Sequence, residues 1–119
     1  MSTMHLKLTL LCLMLLALPA WAVSNEREIN HLLNFIEKSG CQFDRNGTVH
    51  DSAEAREHIQ MKYDYARKWI SSTEDFIEYT ATKSSMTGKR YHVVCAGKRM
   101  PSGEWLLNEL KRYRSNLSE

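Results

Sequence analysis

The chain has 119 residues, 16 of them basic and 14 acidic, with a formal charge of +2 and a hydrophobic share of 43%. That length allows one domain, and so short a chain buries a modest fraction of its surface, which makes a covalent staple useful. The near balance of charge does not mark a polyanion binder, and no nucleic-acid partner is expected.

Lys7 precedes an apolar run from Leu8 to Leu18, which Pro19 breaks before the small-residue sequence Ala20-Trp21-Ala22. This order of charged, apolar and small segments is that of a secretory signal peptide. The run falls short of the roughly 20 apolar residues a membrane span requires, so the protein is not expected to cross a membrane. Residues 1–22 are read as the signal and residues 23–119 as one small globular domain. Cys12 is then discarded, and the remaining pair, Cys41 and Cys95, reads as one disulfide in an exported chain.

A first helix is expected from Asn25, with Asn25 and Glu28 as a capping box, and Gly40 ends it. Ile29, Leu32, Leu33 and Ile36 form its buried stripe. Cys41-Gln42-Phe43 reads as a short strand, Asn46-Gly47 as a tight turn and Thr48-Val49-His50 as the returning strand. Asp51 caps a second helix whose inward stripe is Ala55, Ile59, Tyr63, Ala66, Trp69 and Ile70, with Ser71 as its breaker. Ser72 caps a third helix that turns Phe76, Ile77, Thr80 and Ala81 inward.

The polar stretch Thr82–Lys89 is a loop. Tyr91–Ala96 is the strongest strand signal, Gly97–Pro101 a turn, and Ser102 the cap of a final helix with Trp105, Leu106, Leu110 and Tyr113 inward. The fold class is therefore α+β, with about four helices packed on a small antiparallel sheet and one disulfide joining its strand regions. Charge is uneven along it: Val23–Thr80 holds 7 basic and 11 acidic residues, and Ala81–Glu119 holds 8 basic and 3 acidic. Either the two halves face each other, or the cationic half attracts anionic envelope material.

His50, Glu54 and His58 are spaced by four, but a helix capped at Asp51 leaves His50 outside its regular turns. Zinc needs three or four ligands, so no metal site is assigned. Lys83 and Ser84 are a nucleophile–base pair in principle, yet neither a Ser-x-x-Lys spacing nor a Gly-x-Ser-x-Gly elbow is present. The loop also lacks the Gly-Lys-Ser/Thr ending of a phosphate loop. No catalytic residue or cofactor is assigned. The candidate binding residues are Lys83, Ser84, Ser85, Gly88 and Tyr91 of the loop, with Arg45 and Asn46 of the earlier turn. Such a set of hydroxyls, cations and a ring suits a sugar or an anion.

The segments Ile29-Asn30-His31-Leu32-Leu33 and Ser39-Gly40-Cys41-Gln42-Phe43-Asp44-Arg45-Asn46-Gly47 carry a resemblance. So do Glu54-Ala55, Lys62-Tyr63, Glu74-Asp75-Phe76-Ile77, Ala81-Thr82-Lys83-Ser84-Ser85 and Trp105-Leu106. Through them the chain resembles the YfeK-like family of small exported bacterial proteins of unknown function. The resemblance implies a periplasmic location and carries over no catalytic residue. Arg90 stands where many relatives are expected to have Pro, and His50 where an aromatic residue is expected. The expected function is that of an exported, non-enzymatic binding protein whose partner is an envelope protein or an anionic or saccharide ligand. The alternatives are a small envelope hydrolase or transferase using Lys83 and Ser84, or a metal-binding protein centred on His50, Glu54 and His58.

Overall fold

The structure, a computed structural model, describes residues 20–118. The expected signal over 1–22 therefore lies outside them, apart from Ala20–Ala22. The elements run α1 (Ala20–Lys38), β1 (Gln42–Arg45), β2 (Thr48–His50), α2 (Ser52–Ala66) and a 3-10 turn (Arg67–Trp69). Then come α3 (Thr73–Ala81), β3 (His92–Cys95), β4 (Lys98–Pro101) and α4 (Ser102–Leu117). The strands form one antiparallel sheet in the order β2-β1-β3-β4. The α+β class and the four helices are those read from the pattern of apolar residues.

Each helix buries its apolar stripe in one core. Ile29, Leu32, Leu33 and Ile36 of α1 meet Ala55 and Ile59 of α2, Phe76, Ile77 and Ala81 of α3, and Leu106 and Leu110 of α4. Phe43 of β1 and Val93 of β3 cover this cluster from the sheet. They are register partners, so one cross-strand pair supplies the sheet's share of the core. Asp51 and Ser72 cap α2 and α3 as expected, accepting from the backbone N–H of Glu54 and Asp75.

Cys41 and Cys95 are disulfide-bonded across 54 residues, with their Cα atoms 4.7 Å apart. The β1/β3 register places them opposite each other: Gln42 faces Val94, and one step outward Cys41 faces Cys95. The bond therefore extends an existing ladder.

Several expectations change. Asn25 lies inside α1 and caps nothing; its amide instead donates to Ser71 O at 2.9 Å. Glu28, its expected capping partner, is buried and tied to Arg114 of α4 (Nε–Oε2, 2.7 Å) and to the Thr73 hydroxyl at 2.6 Å. The Gly97–Pro101 stretch is a turn only at Ala96-Gly97, where φ is +50° and +77°. Lys98–Pro101 then forms the edge strand β4, whose charged residues hide the alternation a strand ordinarily displays. Ser102 is the first residue of α4, whose N-cap position is Pro101, and no side chain caps this helix. Trp69 is 53% exposed, because α2 tightens into the 3-10 turn at Arg67 and rotates it off the stripe.

Two buried carboxylates fasten α4 to the rest. Glu28 and Glu74 share Arg114, and Glu109 holds Arg112 and, at 2.7 Å, His31, which stacks on Tyr113. The hydrogen bond from Arg114 holds the Glu28 carboxyl below its ordinary value of 4.5, against the opposing pull of burial. A folded-state value below the unfolded one means that this stabilisation is complete above about pH 4.5 and is lost as pH falls through the lowered value. Arg114→Ala, which leaves Glu28 buried with only Thr73, is expected to cost about 2–4 kcal/mol in urea unfolding at pH 7. The variant should also lose part of the wild-type fall in stability below pH 4.5. Replacing Cys41 and Cys95 together by Ser should lower the unfolding free energy by about 2–5 kcal/mol, read from the urea midpoint.

Candidate functional site

The loop between α3 and β3 is a closed structure. Tyr91 N–H donates to Thr82 O at 3.0 Å, and Ser84 N–H to Lys89 O at 2.9 Å. Lys83 and Arg90 form an antiparallel bridge between them. Ser84, 6% exposed, turns its hydroxyl inward to accept from the backbone N–H groups of Met86 and Thr87 at 3.3 and 3.2 Å. Gly88, at φ +73°, donates its N–H to Ser84 O at 3.0 Å and reverses the chain. Ser84 and Gly88 thus shape the loop, while Lys83, Ser85, Met86, Thr87, Lys89 and Arg90 are its exposed residues.

Lys62 of α2 supports the loop from behind. Its ammonium donates to Lys83 O at 3.0 Å and to the Tyr91 hydroxyl at 3.4 Å. Burial, followed by the charge of Arg45, lowers its pKa below the ordinary lysine value. Tyr91 is itself buried, with its ring edge-to-face against His58. Of the loop candidates read from the sequence, Lys83 and Ser85 are exposed; Ser84 and Tyr91 are interior and Gly88 is a backbone pivot.

The earlier turn joins this surface. The Thr87 hydroxyl donates to Asn46 Oδ1 at 2.8 Å, across 41 residues of sequence. Asp44 Oδ1 accepts from Gly47 N–H at 2.9 Å and fixes the turn. Asn46 therefore stands beside the loop tip. Arg45 points the other way, donating from Nη2 to His50 Nε2 at 3.2 Å, and its Nε is buried.

Beside the loop, Ser85 contributes to the lining of a groove of about 430 Å³ between α2, the 3-10 turn and α3. Met61, Tyr65, Trp69 and Tyr79 line it. Tyr65 is 82% exposed, and its ring lies 6.3 Å from that of Trp69. The Lys68 ammonium sits 4.5 Å from the centre of the Trp69 ring, so the aromatic wall carries a cation. The sequence reading missed this groove by assigning Trp69 to the core. Its available signal was that Tyr65 and Tyr79 fall outside the inward stripes of their helices.

The histidines do not converge. His50 Nδ1 meets Glu54 Oε2 at 3.1 Å, whereas His58, its Nε2 buried, borders a separate small cavity. Burial first, then the charges of Arg45 and Lys62, push the His58 pKa down to about 4. Among the described residues, no group of three or more His, Cys, Asp or Glu side chains is placed to hold a metal ion. No helix among them is long and apolar enough to cross a membrane.

The sequence is similar to the uncharacterized protein YfeK of Salmonella typhimurium, with 43% identity over 82 residues that cover 66% of this chain and 68% of that one. No solved structure matches the fold. A family model, described as a family of unknown function (DUF5329), matches residues 23–114, which span the disulfide, the loop and the groove. The chain belongs to that family, DUF5329.

Proposed function

We propose that this chain is exported to the periplasm, with the signal removed after Ala22, and acts there as a non-catalytic binding module for an acidic saccharide. The observation that carries the reading is the groove lined by the exposed Tyr65, Trp69 and Tyr79 together with Ser85 of the loop. The apolar C–H faces of a sugar ring lie flat on exposed aromatic faces, while its hydroxyls need nearby donors and acceptors. Lys68 over Trp69 and the exposed Lys83, Lys89 and Arg90 supply the charge that a sugar acid requires. A few polar groups around an apolar concavity of this volume match the general make-up of small-ligand sites.

Ser84 favours binding over turnover. Its hydroxyl is buried and already accepts two backbone N–H groups, and Lys83 beside it is exposed. Ser84→Ala should therefore cost about 1–2 kcal/mol of stability through the two orphaned donors, while ligand recovered after incubation stays intact. Product formation that disappears in Ser84→Ala would establish the hydrolase alternative instead.

Calorimetric titration of the oxidised protein with uronic-acid oligosaccharides tests the ligand class. Binding is expected, weaker for neutral sugars, and Tyr65→Ala and Trp69→Ala should each weaken it by about tenfold. Absence of heat with every saccharide would overturn the ligand. A discrete protein captured by a photo-crosslinker at Ser85, but not at a control position Lys38, would put a protein in its place. Export is checked by intact mass of the chain recovered from the periplasm: an N-terminus at Val23 is expected, and a retained residue 1–22 segment would refute the cleavage.

A further inference from the structure

Between the sheet, α2 and the start of α4 lies a small cavity of about 20 Å³. It is bordered by Phe43 and Arg45 of β1, His58 of α2, Tyr91, and Ser102 and Leu106 of α4. Arg45 Nε, His58 Nε2 and Ser102 Oγ are all buried without a hydrogen-bond partner, and all three residues border this one cavity. Ser102 is 4% exposed, and its backbone N–H is already committed to Tyr91 O at 3.0 Å. A buried polar atom left unpaired costs about 1–3 kcal/mol, so three around one void would be a heavy burden on so small a domain.

We infer that the cavity is a binding site for a single ordered water molecule, bridging Arg45 Nε, His58 Nε2 and Ser102 Oγ. One water needs roughly 10–15 Å³ and two to four polar partners; the cavity has the volume, and three of the residues bordering it carry the orphaned polar atoms. The hydrogen-bond polarity closes. Arg45 N–H donates to the water oxygen, the water donates to the His58 Nε2 lone pair, and the Ser102 hydroxyl takes either remaining role. This order requires a neutral imidazole, which agrees with the depressed His58 pKa of about 4. A halide would need a donor at every contact, and a neutral His58 accepting at Nε2 withholds one. The remaining rim is Phe43, Ala55, Ile59, Ala81 and Leu106, all apolar, with Tyr91, whose hydroxyl already accepts from Lys62 at 3.4 Å, and it keeps the guest to one molecule. The water would join β1, α2 and α4 directly beneath Tyr91, on which the binding loop is anchored.

A crystal structure at high resolution, from crystals grown in bromide, tests this. Expected is one well-ordered water within hydrogen-bond distance of the three named atoms, without anomalous signal. An anomalous peak there would overturn the water in favour of an anion. An empty cavity, or Arg45 and His58 bonded directly to each other, would overturn any guest. Ser102→Ala should lose one of the water's contacts and lower the folding equilibrium constant by about tenfold. His58→Phe, which fills the cavity, should remove the water from the density while the protein still folds. Persistence of the same peak in His58→Phe would show that the site has been misassigned.

Discussion

The antiparallel pairing of β1 with β3 is the constraint on which the rest of the molecule depends. Its register, with Phe43 opposite Val93, runs in both directions beyond the ladder. One way it sets Cys41 against Cys95, so the covalent bond closes on strands already aligned. The other way it brings Asn46 next to the segment of Arg90, where Thr87 reaches across to Asn46. The staple and the loop surface are the two ends of one ladder. The long excursion between β1 and β3 has to return to that pairing, and α2 and α3 fold over the sheet in doing so.

Charge is arranged to the same end. The acidic first half and the basic second half are joined by Arg114 to Glu28 and Glu74, and by Arg99 to Asp44. Two of the eight cations of the second half, Arg99 and Arg114, are thus paired with carboxylates of the first, and Arg114 ties α4 to α1 and α3. At its other end α4 approaches so closely that a Cβ on Gly103 would lie 2.8 Å from Thr82 Oγ1, itself bonded to Ile77 O. None of the ion pairs among the described residues involves Lys83, Lys89 or Arg90, so the exposed cations of the loop are among those that face outward without an acidic partner.

The loop and the groove divide the work between scaffold and surface. Ser84, Gly88, Tyr91 and the half-buried Lys62 set the backbone course, and residues on either side of them are presented outward. A polar loop held this firmly loses little conformational freedom on binding, which lowers the entropic cost of recognition. The aromatic wall beside it is exposed because the 3-10 turn ends α2 early and turns Trp69 away from the core.

The sequence by itself determined the elements whose signals are local. Stripes such as Ile29-Leu32-Leu33-Ile36, the caps Asp51 and Ser72, the Asn46-Gly47 turn and the isolated cysteine pair each need only a few neighbouring residues to be read. Tertiary structure alone decided the features that depend on a distant partner. Asn25 and Glu28 satisfy a capping pattern, yet Ser71 and Arg114 compete for their side chains and win. Lys98–Pro101 has little strand character of its own and becomes a strand because β3 offers it a ladder. Trp69 has a core residue's spacing but a surface residue's position, since a change of helical pitch at Arg67 shifts its angle about the axis. Likewise the convergence of Arg45, His58 and Ser102 on one small cavity involves three elements far apart in the chain. Contacts between distant elements leave no periodicity or motif in any one segment, which is why the fold class was legible and the groove and the cavity were not.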